Sequence, residues 1–255
     1  MGSPTLTPAW PAPAGVRALC TTRLGGVSAA PFDSFNLGDH VGDEPAAVAA
    51  NRARLAEFSA PAKPVFLRQV HGTGVLLVDE FTPHGSEADA ALVHRPGLAA
   101  TIMVADCLPV LFAHHSGRAV AAAHAGWRGL QAGVLEATVA ALHTAAGPGE
   151  VIAWLGPAIG PSAFEVGEEV RSAFVDADAG AAAHFATHAQ AGKWWADLPA
   201  LARRRLRAAG VLSLHGNDSS AGWCTVSDAS RFFSHRRDAA RLGSTGRLAA
   251  CVWLG

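Results

Sequence analysis

The sequence predicts one α/β domain with mixed sheets. Strand-like apolar segments alternate along the chain with segments of helical pattern, and no repeat or low-complexity linker divides them. Half of the 255 residues are apolar and 16% are charged, which favours a large buried core over disorder. We therefore treat residues 1–255 as a single domain, with an irregular lead-in rich in proline and alanine over residues 1–15.

Strands are predicted where mostly apolar residues run between turn residues. The runs on either side of Cys107 are almost wholly apolar, as expected for strands buried on both faces, and a partner strand ends at His124. In chain order, the predicted strands are residues 16–22, 64–70, 75–78, 99–104, 109–113, 119–123, 151–155, 211–214 and 248–254.

Helices are predicted from first-turn signals, helical spacing and stop signals. Pro45 suits the first turn of the first helix. The second helix follows Gly126 and carries apolar side chains near one face. Gly210 closes the last one. The predicted helices are residues 45–58, residues 126–142, residues 168–175 and residues 198–209.

Charge and cysteine usage exclude several classes of protein. The net charge is −1 with no long basic run, so no nucleic-acid surface is indicated; the arginines of residues 203–207 suit a solvated helix face. The four cysteines are widely spaced, which favours free thiols in a reducing compartment. No signal peptide and no bilayer-spanning apolar run is seen, so we expect a soluble, cytoplasmic protein without membrane partners.

His71, Cys107 and His124 form the most distinctive set of residues. All three are predicted at strand ends, where sites of α/β proteins form. Three such ligands would leave the fourth tetrahedral position of a catalytic zinc ion free. The alternative is structural histidines and an inert buried cysteine, because no dense metal-binding pattern is present. Copper is a weaker alternative, since the axial ligand would have to be Met103 inside a buried strand.

Several polar residues accompany the trio. Asp106 is expected to orient a ligating imidazole or to transfer a proton, or else to cap a turn. Arg128 and Arg23 are candidates for anion contacts, with an ion pair and a loop brace as their alternatives. Residues 232–238 combine aromatic and cationic side chains that suit a heterocycle, although a packed strand would also explain them. Dinucleotide, P-loop, zinc nucleobase deaminase and nucleophile-elbow motifs are missing.

Taken together, the motifs resemble those of the YfiH family, also called the laccase-domain or multicopper polyphenol oxidase family. Any one motif is weak evidence for the family. Together they occur in the family's order from Thr21 to the C-terminus, and that combination is specific to the family. The matching segments are residues 21–28, 36–38, 69–72, 105–109, 123–129, 156–160, 164–166, 232–238 and 246–247.

The resemblance implies a fold, a metal and an activity. The fold would be a layered α/β/β/α arrangement of mixed sheets, shared distantly with a toxin deamidase. His71, Cys107 and His124 would bind zinc. The activity would be phosphorolysis of adenosine, inosine and methylthioadenosine to the base and (methylthio)ribose 1-phosphate, with deamination of adenosine to inosine. One departure is visible, because His235 stands where the family often has tyrosine.

Roles follow from combining the residues with this resemblance. Asp106 is the candidate for proton transfer and Arg128 for holding phosphate during catalysis. The candidates for substrate binding are Arg23, Asn36, Gln69 and Arg236.

Three other functions remain open at this stage. Copper-dependent oxidation of polyphenols is disfavoured because the twelve histidines include no His-x-His pair. Amide hydrolysis of peptidoglycan precursors is an alternative within the family. A metal-stabilised binding protein without turnover is an alternative of another class.

Overall fold

The computed structural model describes residues 2–255. One of its sheets has five strands, which lie in the order β1 (Thr5–Leu6), β2 (Val16–Thr21), β14 (Leu248–Leu254), β6 (Leu98–Val104) and β3 (Lys63–Phe66). Neighbouring strands are antiparallel except for the last two, which are parallel. The sheet is therefore mixed, as the sequence predicts.

A second mixed sheet has six strands. Their order is β13 (Ser213–Gly216), β9 (Val151–Leu155), β7 (Leu108–His114), β8 (Val120–Ala125), β5 (Ala90–Val93) and β4 (Val75–Leu77). The two outer pairs are parallel and the inner pairs are antiparallel. A small antiparallel sheet adds β10 (Glu165–Gly167), β11 (Phe185–Thr187) and β12 (Lys193–Ala196), with β12 in the middle.

Six α-helices accompany the sheets. They are α1 (Pro45–Ser59), α2 (Trp127–Ala132), α3 (Val134–Ala146), α4 (Glu168–Val175), α5 (Leu198–Ala208) and α6 (His235–Leu242). Short 3-10 helices form at Ala179–His184 and Ala221–Trp223. Among residues 2–255, no helix has both the length and the apolar character that crossing a membrane requires.

The predicted α/β/β/α layering is confirmed by how the cores are divided. Ile102 and Trp154 belong to the core between the two large sheets. Leu55 of α1 covers the outer face of the five-stranded sheet. Leu135 of α3 covers the outer face of the six-stranded sheet together with α5. Strand β7 sends Phe112 to one core and Leu111 to the other, which explains its uninterrupted apolar sequence.

Some predicted boundaries are wrong. The helix expected over residues 126–142 is two helices, because Gly133 at φ 106° adopts a left-handed conformation between α2 and α3. Residues 1–15 are not wholly irregular, since Thr5–Leu6 pairs with β2. Residues 232–238 do not form a packed strand: the Ser234 side chain accepts a hydrogen bond from the Arg237 N–H and caps the start of α6.

Candidate metal centre and its cavity

His71, Cys107 and His124 lie together at one end of the six-stranded sheet. Their ligand atoms are all within 4.8 Å of one another, and His71 Nε2 is 3.8 Å from Cys107 Sγ. Tetrahedral zinc with its usual bond lengths places a sulfur and a nitrogen ligand about 3.5 Å apart. The trio therefore needs little adjustment to bind one such ion.

Strand register brings two of the three ligands together. His124 in β8 is paired with Pro109 in β7, and Cys107 is the residue before β7. His71 comes from the loop between β3 and β4, at a left-handed φ of 61°. Gly126 allows this close approach, because a Cβ there would lie 2.7 Å from His71 Cδ2 and 3.0 Å from Cys107 Sγ.

Asp89 fixes the geometry of two of the ligands, and sequence reasoning missed it. Its fully buried carboxylate accepts hydrogen bonds from His124 Nδ1 at 2.8 Å and from the backbone N–H of His71 at 2.9 Å. The N–H groups of Val70 and Gly72 also donate to it. With Nδ1 of His124 protonated and held by Asp89, Nε2 is left to face a metal ion. The only signal for Asp89 in the sequence is a lone carboxylate directly before an apolar strand.

The electrostatics favour a thiolate at Cys107. Burial raises the pKa of this thiol, but attraction to His124 and hydrogen bonds with both histidines outweigh burial and lower the pKa to about 6. Burial lowers the pKa of His124, while Cys107 and Asp89 raise it to about 9. A thiolate beside two imidazoles is a donor set that suits zinc.

A cavity of about 800 Å³ opens next to the trio. Such a volume suits a small organic ligand. Four of the sequence-predicted site residues line it in addition to the trio: Gln69, Asp106, Arg128 and Arg236. Arg247, His235 and the aromatic rings of Trp127 and Phe164 also line the cavity.

Asp106 does not orient an imidazole. Its carboxylate accepts hydrogen bonds from Thr225 Oγ1 and from the backbone N–H of Arg236, each at 2.6 Å. The predicted orienting role is wrong for Asp106 and belongs to Asp89. Asp106 instead ties the loop of Cys107 to the first turn of α6, and its role in proton transfer stays a prediction.

Arg128 is placed to meet a ligand. Its guanidinium stacks over the Trp127 ring, with 4.4 Å between Cζ and the ring centroid, and its side chain is exposed in the cavity wall. Within residues 2–255 it forms no ion pair, so the predicted alternative of a structural ion pair is not supported.

Gln69 and Arg236 line the cavity but are partly engaged elsewhere. The Gln69 amide donates to the carbonyl of Met103 at 2.7 Å and accepts from its N–H at 2.8 Å. The Arg236 guanidinium donates to the carbonyl oxygens of Ala163 and Glu165. His235, at the first position of α6, is exposed toward the cavity.

Arg23 and Asn36 do not line this cavity, so it gives no support to their predicted substrate contacts, which stay a prediction. The Arg23 guanidinium donates to the carbonyls of Asp33 and Ala229 and stacks on Phe233, which is the loop brace that the sequence left as the alternative. Asn36 is fully buried, and its amide is hydrogen-bonded within its own loop and to the N–H of Arg247.

Fold and site together define an α/β/β/α protein with a two-histidine, one-cysteine cluster beside a ligand-sized cavity. The sequence model of the multi-copper polyphenol oxidoreductase laccase family matches residues 17–255. The chain belongs to this family.

Relatives match over nearly the whole chain. A protein named purine nucleoside phosphorylase PA4543, from Pseudomonas aeruginosa, is 56% identical over 98% of each chain. The purine nucleoside phosphorylase YfiH of Escherichia coli is 50% identical over 99% of each chain.

Solved structures show the same fold. The Neisseria meningitidis protein NMB0706 superimposes with a TM-score of 0.89 at 44% identity, covering 99% of each chain. YlmD from Geobacillus stearothermophilus has a TM-score of 0.89 at 31% identity, covering 100% of this chain and 97% of its own.

Proposed function

We propose that this protein is a zinc-dependent purine nucleoside phosphorylase. Its substrates would be adenosine, inosine and methylthioadenosine, and its products the free base and (methylthio)ribose 1-phosphate. Deamination of adenosine to inosine is proposed as a second activity of the same site. The observation that carries the proposal is the convergence of His71, Cys107 and His124 on a cavity that also contains arginines without acidic partners.

The donor set supports zinc as the metal. Two imidazole nitrogens and a thiolate leave a fourth position open, as in catalytic zinc sites. When bound, zinc would act as a Lewis acid and lower the pKa of a water molecule toward neutrality, which is the chemistry that deamination requires. Asp89 would keep His124 in the tautomer that binds the ion.

The arginines support phosphate as the co-substrate. Phosphorolysis forms a bond between a phosphate oxygen and the anomeric carbon while the bond from that carbon to the purine nitrogen breaks. A dianion must therefore be held next to the ribose. Arg128 presents an exposed, unpaired guanidinium in the cavity wall, and its planar fork suits a phosphate. The relatives named purine nucleoside phosphorylase support the same assignment.

Aromatic and acidic groups in the same wall supply the remaining functions. Trp127 and Phe164 offer apolar surfaces for a purine. Asp106 lies beside Cys107, and each of its carboxylate oxygens keeps a lone pair beyond the hydrogen bond it already accepts. We assign Asp106 to proton transfer during deamination and Gln69 and Arg236 to substrate binding.

Copper-dependent oxidation of polyphenols has weaker support. Multicopper chemistry needs several ligand clusters, whereas residues 2–255 contain one group of three or more metal-binding side chains close enough to share an ion. Amide hydrolysis and ligand binding without turnover have no observation that favours them.

One assay separates these functions. Purified protein of measured zinc content is incubated separately with adenosine, inosine or methylthioadenosine, with and without inorganic phosphate, and adenine, inosine and hypoxanthine are resolved by chromatography. Adenine that appears only with phosphate, in proportion to zinc content, supports the proposal. Zinc-loaded protein that leaves adenosine, inosine and methylthioadenosine intact, while one of them raises its melting temperature, would instead indicate a binding protein.

A further inference from the structure

Arg247 is a half-buried arginine of the cavity wall. It lines the same cavity as the metal-binding trio. Its Nη1 donates to the carbonyls of Thr245 and Gly246, two neighbours in its own loop. Across residues 2–255, no carboxylate lies within ion-pairing distance of this guanidinium. A cation withdrawn from water without an acidic partner is destabilising unless a ligand supplies the charge.

The surroundings of Arg247 are built to hold its side chain in place. The fully buried Asn36 accepts a hydrogen bond from the Arg247 N–H at 2.8 Å, and the N–H of Leu37 donates to the Arg247 carbonyl at 3.1 Å. Gly38 lies directly against the arginine stem, because a Cβ there would be 2.7 Å from Arg247 Cγ. The segments 36–38 and 246–247, both singled out in the sequence, are thus one structural unit around this side chain.

Arg247 lines the same cavity as Cys107 and Asp106. Burial lowers the pKa of Arg247, and the negative charges of Cys107 and Asp106 act in the opposite direction. Arg128 faces the same cavity, stacked on Trp127. Within residues 2–255, Arg247 is thus one of three arginines that line this cavity without a carboxylate partner, the others being Arg128 and Arg236.

We infer that Arg247 is the buried anchor for the phosphate ion, and that Asn36 and Gly38 are the positioning residues that aim it. The sequence predicts that Arg128 holds phosphate and that Arg23, Asn36 and Arg236 bind substrate. In the structure, Arg23 is a brace and Asn36 acts through Arg247. The inference rests on the proposed function for its catalytic consequence, but binding of inorganic phosphate can be measured without turnover.

Two variants test the inference. Arg247→Lys keeps the charge and loses the planar fork. Gly38→Ala keeps the arginine and pushes its stem aside. Because hydrogen bonds to charged groups are the strong ones, the KM for phosphate should rise about 10-fold to 100-fold in Arg247→Lys. The KM for the nucleoside and the zinc content should not change. Gly38→Ala should raise the phosphate KM in the same direction.

Arg203→Lys is the matched control. Arg203 is also half-buried, donates to backbone carbonyls and lies outside the cavity. The Arg203→Lys substitution should leave the KM for phosphate within twofold of the wild-type value.

Calorimetric titration of the zinc-loaded protein with inorganic phosphate separates this inference from the proposed function. If wild type binds phosphate at least tenfold more tightly than Arg247→Lys, Arg247 is the anchor even should no nucleoside be cleaved. Phosphorolysis by wild type with an unchanged phosphate KM in a folded Arg247→Lys protein would refute the inference alone. If Arg247→Lys does not fold, a folded Gly38→Ala protein with wild-type phosphate affinity would refute it equally. Absence of both phosphate binding and turnover in wild type would refute both.

Discussion

Replacing Asp89 with asparagine tests how the metal centre is held. The carboxylate of Asp89 accepts four hydrogen bonds, one from His124 Nδ1 and three from backbone N–H groups of residues 70–72. Asparagine has the same shape as aspartate but only one oxygen that accepts hydrogen bonds. Its NH₂ group would face two of the four donors, which would then lack an acceptor. Each buried donor left without a partner destabilises by about 1–3 kcal/mol. With two such donors, we expect the free energy of unfolding to fall by at least about 2 kcal/mol.

The effect on metal binding follows from the same contacts. Loss of the partner that fixes a ligating imidazole weakens metal affinity about 10-fold to 100-fold, which corresponds to about 1.4–2.8 kcal/mol. In Asp89→Asn both His124 and the backbone of His71 lose their anchor. Zinc affinity is measured by competition with a chromophoric chelator, and unfolding by urea denaturation of the metal-free protein.

Asp238→Asn is the control. Asp238 is another buried carboxylate, paired with Arg237 Nη2 at 2.7 Å and outside the cavity. Both variants should be less stable than wild type, but only Asp89→Asn should bind zinc more weakly. Equal zinc affinity in wild type and Asp89→Asn would refute the role assigned to Asp89.

Four further outcomes are expected. Cys107→Ala should lose the thiolate ligand and most of the zinc, which elemental analysis measures; a fully loaded variant would show that the ligand assignment is wrong. Arg128→Lys should weaken phosphate use while zinc content and melting temperature stay nearly unchanged, whereas normal phosphate dependence would argue against its role. Gly126→Ala should lower zinc affinity, because the added Cβ lies 2.7 Å from the His71 ring; equilibrium dialysis against wild type checks this. Burial raises the pKa of the Asp238 carboxyl, but Arg237 lowers it by more, so the pKa in the folded protein is below its ordinary value. The ionised carboxylate therefore stabilises the fold at pH values above the pKa that this group has in the unfolded chain. The destabilisation caused by Asp238→Asn should therefore shrink as the pH falls below about 4, which urea titrations at several pH values measure.

The sequence predicts the central strands of this fold because they are buried on both faces, whereas the layering is implied by the family resemblance. Leu111 and Phe112 point to different cores, so the run around them is apolar throughout and easy to recognise. Short strands such as Ala90–Val93 escaped prediction, because four apolar residues, two of them alanines, carry no distinctive pattern. The break at Gly133 also escaped it, since a glycine within a helical pattern signals a stop only weakly.

The metal-binding trio could be predicted because each ligand stands beside an apolar strand and within a family motif. Asp89 could not be predicted, because its role depends on the antiparallel pairing that brings β5 next to β8. The roles of Arg23 and Arg247 could not be predicted from the sequence either. Both occur in motif segments, but only the tertiary structure shows that one braces a loop and the other lines the cavity.

We propose above all that the His71, Cys107 and His124 centre supports cleavage of purine nucleosides by phosphate. The most direct measurement follows adenosine, inorganic phosphate, adenine and ribose 1-phosphate together during turnover by protein of known zinc content. We expect one ribose 1-phosphate for each adenine released, at a rate proportional to zinc occupancy and abolished in Cys107→Ala. Adenine released with free ribose and no consumption of phosphate, or an undiminished rate in zinc-free Cys107→Ala, would contradict it.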